Sequence, residues 1–315
     1  MKRMNKLITT LLAFVLMISL VGCGGHSSVI SVPRLNIPIQ ESVLPEISHN
    51  IDLSAVHPQT TAEIYKFIDA PSNPDKVLDK LAKIFGFSTD AKTEDFGDFI
   101  IIEDDGMMID YETPTGAWSF RDKSYDKTLS HSLPSEKDSA TIARTFLMEN
   151  DLYHERFSTE TVVPKYSGDE ADKTYSPYCH SVYFYPTIND KPILGASRIV
   201  VSVGEDGKIV EVLYYYKDFV SCGEIELASP MSFIDGMKAN RYSTSINPKA
   251  ISSDITDVEL AYWEDGGSCD EQPYLQPVWI FKGTSVQPDG TTETFDVIVQ
   301  AAKNVVNNDE ILSQS

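Results

Sequence analysis

A chain of 315 residues with 42% hydrophobic content is long enough to bury real cores, and one domain per about 150 residues points to roughly two of them. Its formal charge of −21 sets up a field that repels nucleic acid and anionic headgroups, which excludes a nucleic-acid partner. Basic partners or cations would suit such a surface, and a plain solvated acidic shell explains it as well.

In chain order, the first element is the cationic start Lys2, Arg3 and Lys6, followed by the apolar run Leu7 to Leu20 and the stretch Leu20-Val21-Gly22-Cys23. A basic region, a short apolar core and small residues at a cleavage point make a secretory signal. A membrane span needs about 20 apolar residues, and this run is shorter and ends in Gly22, Gly24 and Gly25. The stretch resembles a bacterial lipobox. The resemblance implies that residues 1–22 are a lipoprotein signal peptide and that Cys23 carries the lipid (diacylglycerol and a further acyl chain such as palmitate). It also implies that the mature protein sits on the extracytoplasmic face of the cell membrane, since two or more chains hold stably. Loss of the three leader cations leaves 23 basic against 47 acidic side chains, a net −24. Cys179, Cys222 and Cys269 remain, an odd number, so each of three possible single bridges leaves one thiol over.

Residues 23–60 carry Ser27, Ser28, Pro33, Pro38, Pro45 and Pro58 without sustained periodicity and read as a tether with a reach on the order of 30 Å. Within it, Leu35, Ile37 and Ile39 alternate with Asn36 and Pro38, a pattern open to an edge strand. The first helix is expected from Asn73 as N-cap and Pro74 at the first position, with Val77, Leu78, Leu81, Ala82 and Phe85 on one face and Gly86 as the stop. A second runs from Ser135 to about Asn150, and a third, shorter one starts at Ser229-Pro230.

Each helix is followed by two apolar strands joined at an Asp-Gly pair: Asp105-Gly106, Asp206-Gly207 and Asp289-Gly290. Asp-Gly favours a two-residue type I′ hairpin, which fixes register. Ile100 then opposes Tyr111 and Ile102 opposes Ile109. In the second hairpin Ile199 opposes Tyr214, Val201 opposes Val212 and Val203 opposes Val210; in the third Val278 opposes Ala301 and Ile280 opposes Val299. The expected fold class is α+β, with helices packed on antiparallel sheets in three helix-then-hairpin units. The expected domains are a small α+β domain over 61–128, a tandem α+β domain over 129–303, and a disordered tail over 304–315.

The stretch Asn189-Asp190-Lys191-Pro192-Ile193-Leu194-Gly195, running on to Val201 through Val210, resembles PepSY and related propeptide domains. Together with Leu275-Gln276-Pro277-Val278-Trp279, the tandem arrangement is similar to extracytoplasmic Yyc-type two-component regulatory proteins. The resemblance implies a PepSY/cystatin-like helix on a sheet that binds or restrains another envelope protein, and it supplies no catalytic residue.

The residues themselves assemble no catalytic constellation. His154-Glu155 opens like a zinc-peptidase motif, but Ser158 stands where the second histidine belongs. Glu103-Asp104-Asp105-Gly106 reads as a hairpin turn and Glu264-Asp265-Gly266-Gly267 as a mobile acidic loop, neither matching a calcium loop. No catalytic, cofactor or metal residue is therefore named. Tyr214, Tyr215 and Tyr216 are the candidate interface, with Tyr214 and Tyr216 on one face of their strand and Tyr215 on the other. The expectation is a non-enzymatic surface lipoprotein that binds an envelope protein or peptide; the alternative is a small-ligand-binding lipoprotein serving a transporter.

Overall fold

In the computed structural model, which describes residues 30–37, 47–49, 59–127, 132–167, 176–233 and 242–306, strand makes up 51% of the described residues and helix 14%. The protein is mostly β, which corrects the expected α+β class of three helix-then-hairpin units. The elements are β1 (Val32–Pro33), β2 (Ile47–His49), β3 (Thr61–Phe67), α1 (Pro74–Phe85), β4 (Lys92–Asp95), β5 (Phe99–Asp104), β6 (Met107–Glu112), β7 (Trp118–Asp122) and α2 (Glu136–Glu149). They continue with β8 (Phe157–Ser167), β9 (Ser176–Ile188), β10 (Lys191–Gly195), β11 (Arg198–Val203), β12 (Ile209–Tyr215), β13 (Phe219–Glu226), β14 (Ser243–Thr244), β15 (Ser252–Glu264), β16 (Tyr274–Val286), β17 (Thr292–Gln300) and β18 (Val305–Val306).

Sixteen strands form one hydrogen-bonded network whose main path is β13-β3-β16-β15-β10-β9-β11-β12-β7-β6-β5-β4. Strand β7 pairs with β12, so one sheet takes strands from both sides of residue 128, and the described residues from Ser31 onward form one compact unit. Two α-helices occur among the described residues. Asn73 caps α1 by accepting from the Lys76 amide at 3.3 Å, and Gly86 ends it at φ +75°, a left-handed conformation that glycine adopts without a Cβ penalty. Ser135 caps α2 through the Asp138 amide at 3.1 Å. Leu78, Leu81, Ala143 and Leu147 from these helices are buried against Ile109, Phe120, Val182, Phe184, Val201 and Val212 of the sheet, each large side chain contributing about 1.5–3 kcal/mol. For the third expected helix, Ser229 caps Met231 at 3.3 Å and a 3-10 turn, Pro230–Ser232, leads into helical backbone at Phe233; its remaining positions, Ile234 and Met237 among them, lie outside the described residues.

The hairpin registers separate by turn. Around Asp105-Gly106, both at positive φ, Ile100 faces Tyr111 and Ile102 faces Ile109. Around Asp206-Gly207, Ile199 faces Tyr214 and Val201 faces Val212, but a bulge after Ser202 sets Val203 against Ile209. The third hairpin is displaced by one residue along its length, pairing Ile280 with Ile298 and Val278 with Gln300. Its cause is Pro288. A two-residue turn would need an N–H from the residue before Asp289, which proline lacks. The closing bond instead runs from the Gln287 amide to the Thr291 carbonyl at 2.8 Å, leaving a three-residue loop with Gly290 at φ +83°.

Two junctions follow from short motifs. Asn189 and Asp190, both at positive φ, turn β9 into β10; after two antiparallel pairs, β10 leaves β9 and runs parallel to β15, ending with Gly195 opposite Glu264. A Cβ on Gly195 would sit 2.1 Å from the Glu264 carbonyl oxygen. Residues 31–37, within the expected tether, lie against the body. Val32, Leu35 and Ile37 are buried, and Val32–Pro33 runs parallel to Val305–Val306, which places a strand at the start of the expected tail. Side-chain amides complete the grip: Gln276 and Gln300 donate to the Pro33 carbonyl at 3.0 and 3.1 Å, and Gln272 donates to the Arg34 carbonyl at 3.1 Å. The Asn36 amide donates to Asp265 at 2.7 Å.

Candidate functional site

Strand alternation sends Phe120, Val212, Ile199, Val201 and Val182 toward the helices, so their sequence neighbours face the other way, where no helix of the described residues packs. On that outer face, register sets Arg121 opposite Glu211, Glu211 opposite Ser202 and Ser202 opposite Ser181. One row along, Ser119, Leu213, Val200 and Tyr183 follow each other across the same strands. Ser181 and Ser202 are buried beneath the longer side chains of this face, and Ser119 lies between its longer neighbours. The face holds a depression of about 320 Å³ lined by Arg121, Lys165, Arg198, Tyr183, Val200 and Glu211, among others. A second hollow, of about 640 Å³, adjoins it along residues 121–127 and shares Arg121 and Glu211.

Its polar groups form a connected set. Ser181 Oγ and Ser202 Oγ are 2.8 Å apart, Ser202 Oγ donates to Glu211 Oε2 at 3.4 Å, and Lys165 Nζ donates to the same oxygen at 2.8 Å. Burial pushes the Glu211 carboxyl up, but the Lys165 hydrogen bond and the charges of Lys165, Lys127 and Arg121 outweigh it and hold the group below its ordinary range. Three cations thus converge on one carboxylate. Arg121 also reaches Asp110 at 3.3 Å, and Lys127 lies over the Tyr178 ring at 5.4 Å. Arg198 spends one nitrogen on the carbonyls of Gly195 and Ala196 at 3.4 and 3.3 Å; among the described residues no carboxylate lies within ion-pair distance of it. Tyr183 and Tyr185 stack with centroids 6.1 Å apart, and Tyr185 is exposed.

Of the three candidate tyrosines, Tyr215 alone belongs to this face. It stands opposite Arg198, and its hydroxyl donates to the Gly266 carbonyl at 2.9 Å. Tyr214 stacks on Trp118 at 5.2 Å on the helix side. Tyr216 packs edge-on against Phe157 at 5.0 Å and accepts from Arg156 at 2.9 Å; burial pushes its hydroxyl up to about 12 despite that contact. Cys23 lies outside the described residues. Sequence reasoning missed Arg121, Lys165, Arg198 and Glu211. Arg121 does occupy a polar position in the alternating strand β7, whereas Arg198 opens a near-continuous apolar run and Lys165 follows Val162-Val163-Pro164; the convergence of the four depends on the strand order β7-β12-β11-β9-β8.

Other polar groups are sealed inside. The loop read as mobile and acidic turns inward. Glu264, 1% exposed, pairs with Lys217, 3% exposed, at 3.2 Å. Lys217 also donates to the Gly267 carbonyl at 2.7 Å and stands 4.5 Å from the Phe67 ring centroid. Burial pushes the Glu264 carboxyl up, against the pull of Lys217 and a hydrogen bond from Ser197. Ser139 Oγ lies 3.0 Å from His180 Nδ1, but both residues are buried, so this pair ties α2 to β9 out of reach of any substrate. His154 Nδ1 accepts from the Arg156 amide at 3.2 Å within a turn. Cys179, Cys222 and Cys269 are all unbridged. Among the described residues no three metal-ligating side chains cluster, and no helix is long and apolar enough to cross a membrane.

No family model matches the chain, and no curated protein does. Solved structures similar to it include two bacterial proteins. An uncharacterized protein from Eubacterium rectale ATCC 33656 shares 12% identity over 82% of this chain and 88% of its own, with a TM-score of 0.43. The C-terminal domain of Bacillus megaterium YpeB shares 10% identity over 75% of this chain and 96% of its own, with a TM-score of 0.36.

Proposed function

We propose that this chain is a non-enzymatic lipoprotein, held through Cys23 on the extracytoplasmic face of the cell membrane, that binds an envelope protein or peptide through the outer face of its sheet. The observation that carries the binding reading is that face: free of helix among the described residues, and hollowed where Arg121, Lys165 and Arg198 stand together in a strongly acidic chain. The exposed Tyr185 beside it supplies the amphipathic area that interfaces favour. The anchor reading rests on the leader residues 1–23, and the regulatory cast of the reading rests on the resemblance of residues 189–210 to propeptide-type domains.

Two measurements test it. Cys23→Ser should move the protein from the membrane to the soluble fraction and abolish its acylation; retention with unchanged lipid would refute the anchor. A photo-crosslinking amino acid at Tyr185 should trap one discrete envelope protein in living cells, whereas the same probe at Ile251, exposed elsewhere on the body, should not. Equal or no trapping at the two positions would refute the face as the binding surface.

A further inference from the structure

The depression on the outer face asks for negative charge. Arg121, Lys165 and Arg198 line it with Glu211, whose carboxylate satisfies Lys165 at 2.8 Å, while Arg121 keeps a looser contact with Asp110 at 3.3 Å and stays half-exposed. Among the described residues the guanidinium of Arg198 bonds two backbone carbonyls, both through one nitrogen, and Arg198 lines the hollow, so the rest of its fork is left for a ligand. A fork of that kind pairs with carboxylate in a bidentate way.

The surroundings say how the charge is delivered. Arg121 and Arg198 lie two strands apart, on β7 and β11 with β12 between them, and their rows differ by four residues. Strand spacing and rise place the two backbones roughly 10 Å apart across the sheet and roughly 13 Å along it. A compact anion cannot answer both across that span; an extended segment with acidic side chains on one face can. Such a segment also brings methylenes and backbone to the Val200, Leu213 and Tyr183 surfaces.

We propose that the outer face binds an acidic, extended peptide segment of its partner, whose carboxylates dock on Arg198 and Arg121 beside the Lys165–Glu211 pair. This rests on the binding reading above and names its partner's chemistry. The chain's overall negative field repels such a segment from the rest of the molecule and so confines it to this basic hollow.

The test uses the purified full chain in detergent and a fluorescent eight-residue peptide alternating glutamate with serine, read by anisotropy. The matched glutamine–serine peptide should bind at least tenfold more weakly. The double variant Arg121→Gln, Arg198→Gln should lose at least tenfold in affinity for the glutamate peptide, while Lys249→Gln, at an exposed cation elsewhere, should lose nothing. Thermal midpoints of all variants serve as the folding control. Absent binding at millimolar peptide, equal binding of the two peptides, indifference to the double variant, or preference for inorganic phosphate or phosphatidylglycerol vesicles would each overturn the proposal. If trapping at Tyr185 persists in the double variant while the glutamate peptide fails, the face remains the binding surface and the acidic segment alone is refuted; if trapping itself is absent, the binding reading falls first.

Discussion

Lys217 has lost nearly all contact with water, and what replaces it is one carboxylate, one carbonyl and one aromatic ring. Breaking a buried pair by removing one partner strands the other charge, at a cost of about 3–5 kcal/mol, whereas replacing both with apolar groups is often close to neutral. Lys217→Met should therefore destabilise by that amount in urea unfolding, and adding Glu264→Leu should recover most of it; simple additivity of the two losses would contradict a coupled pair. Acidity gives an independent reading. Because burial raises the Glu264 carboxyl above its ordinary 4.5, the folded state holds this proton more tightly than the unfolded chain does. The stability it lends is complete below about 4.5 and is lost as pH rises through the raised value. Glu264→Gln removes that titration, so the melting temperature of the native chain should fall relative to the variant between pH 4 and pH 7. A gap that moves the other way would show the carboxyl to be depressed. None of this was visible in the Glu264-Asp265-Gly266-Gly267 string, because acidic side chains beside two glycines read as solvent-facing until β10 and residue 217 are seen to close over them.

Helix α1 and the hairpin of β5 and β6 illustrate what a sequence can disclose, since caps, apolar spacing and a two-residue turn are all local. Pro288 shows how small the margin is: one missing N–H moved the β16–β17 ladder by a residue and exchanged the partners expected on each face. The 13-residue strands β9, β15 and β16 have lengths that the local pattern does not fix, because strand length is set by the neighbour a strand finds, and β10 pairs with β15 across some seventy residues of chain. The basic hollow was hidden for the same reason, its walls coming from β7, β8 and β11. Gly195 marks the junction of β10 with β15. At φ +90° and with no room for a Cβ beside the Glu264 carbonyl, Gly195→Ala should cost more than about 2 kcal/mol through backbone strain and displacement of the β10–β15 pairing. Gly97→Ala, also at positive φ but with open space around it, should cost less; equal losses at the two sites would mean that the junction contributes nothing.

At the scale of the molecule, a net charge of −21 describes the average surface and conceals a cationic hollow, so global charge misjudges which partners are welcome at a given face. The segment 31–37 is the other feature that only the assembled molecule reveals, for its hold depends on glutamines more than 230 residues away in sequence. Each such bond is worth about 1 kcal/mol, so Gln276→Ala with Gln300→Ala should raise the rate of proteolytic cleavage within residues 31–37 by about tenfold or more under conditions that leave the sheet intact. An unchanged rate would assign the hold to Leu35 and Ile37 alone. These contacts also define where mechanical load enters. Traction on the chain ahead of Ser31 is taken up at Pro33, Arg34 and Asn36 and passes through glutamine side chains into β16 and β17, and through Asp265 into the end of β15. The strands that carry the hollow meet that block through the three-pair junction of β10 with β15 and the contacts of Tyr215 and Lys217 with residues 264–267, so a pull on that segment strains the C-terminal strands before it reaches Arg121, Lys165 or Arg198.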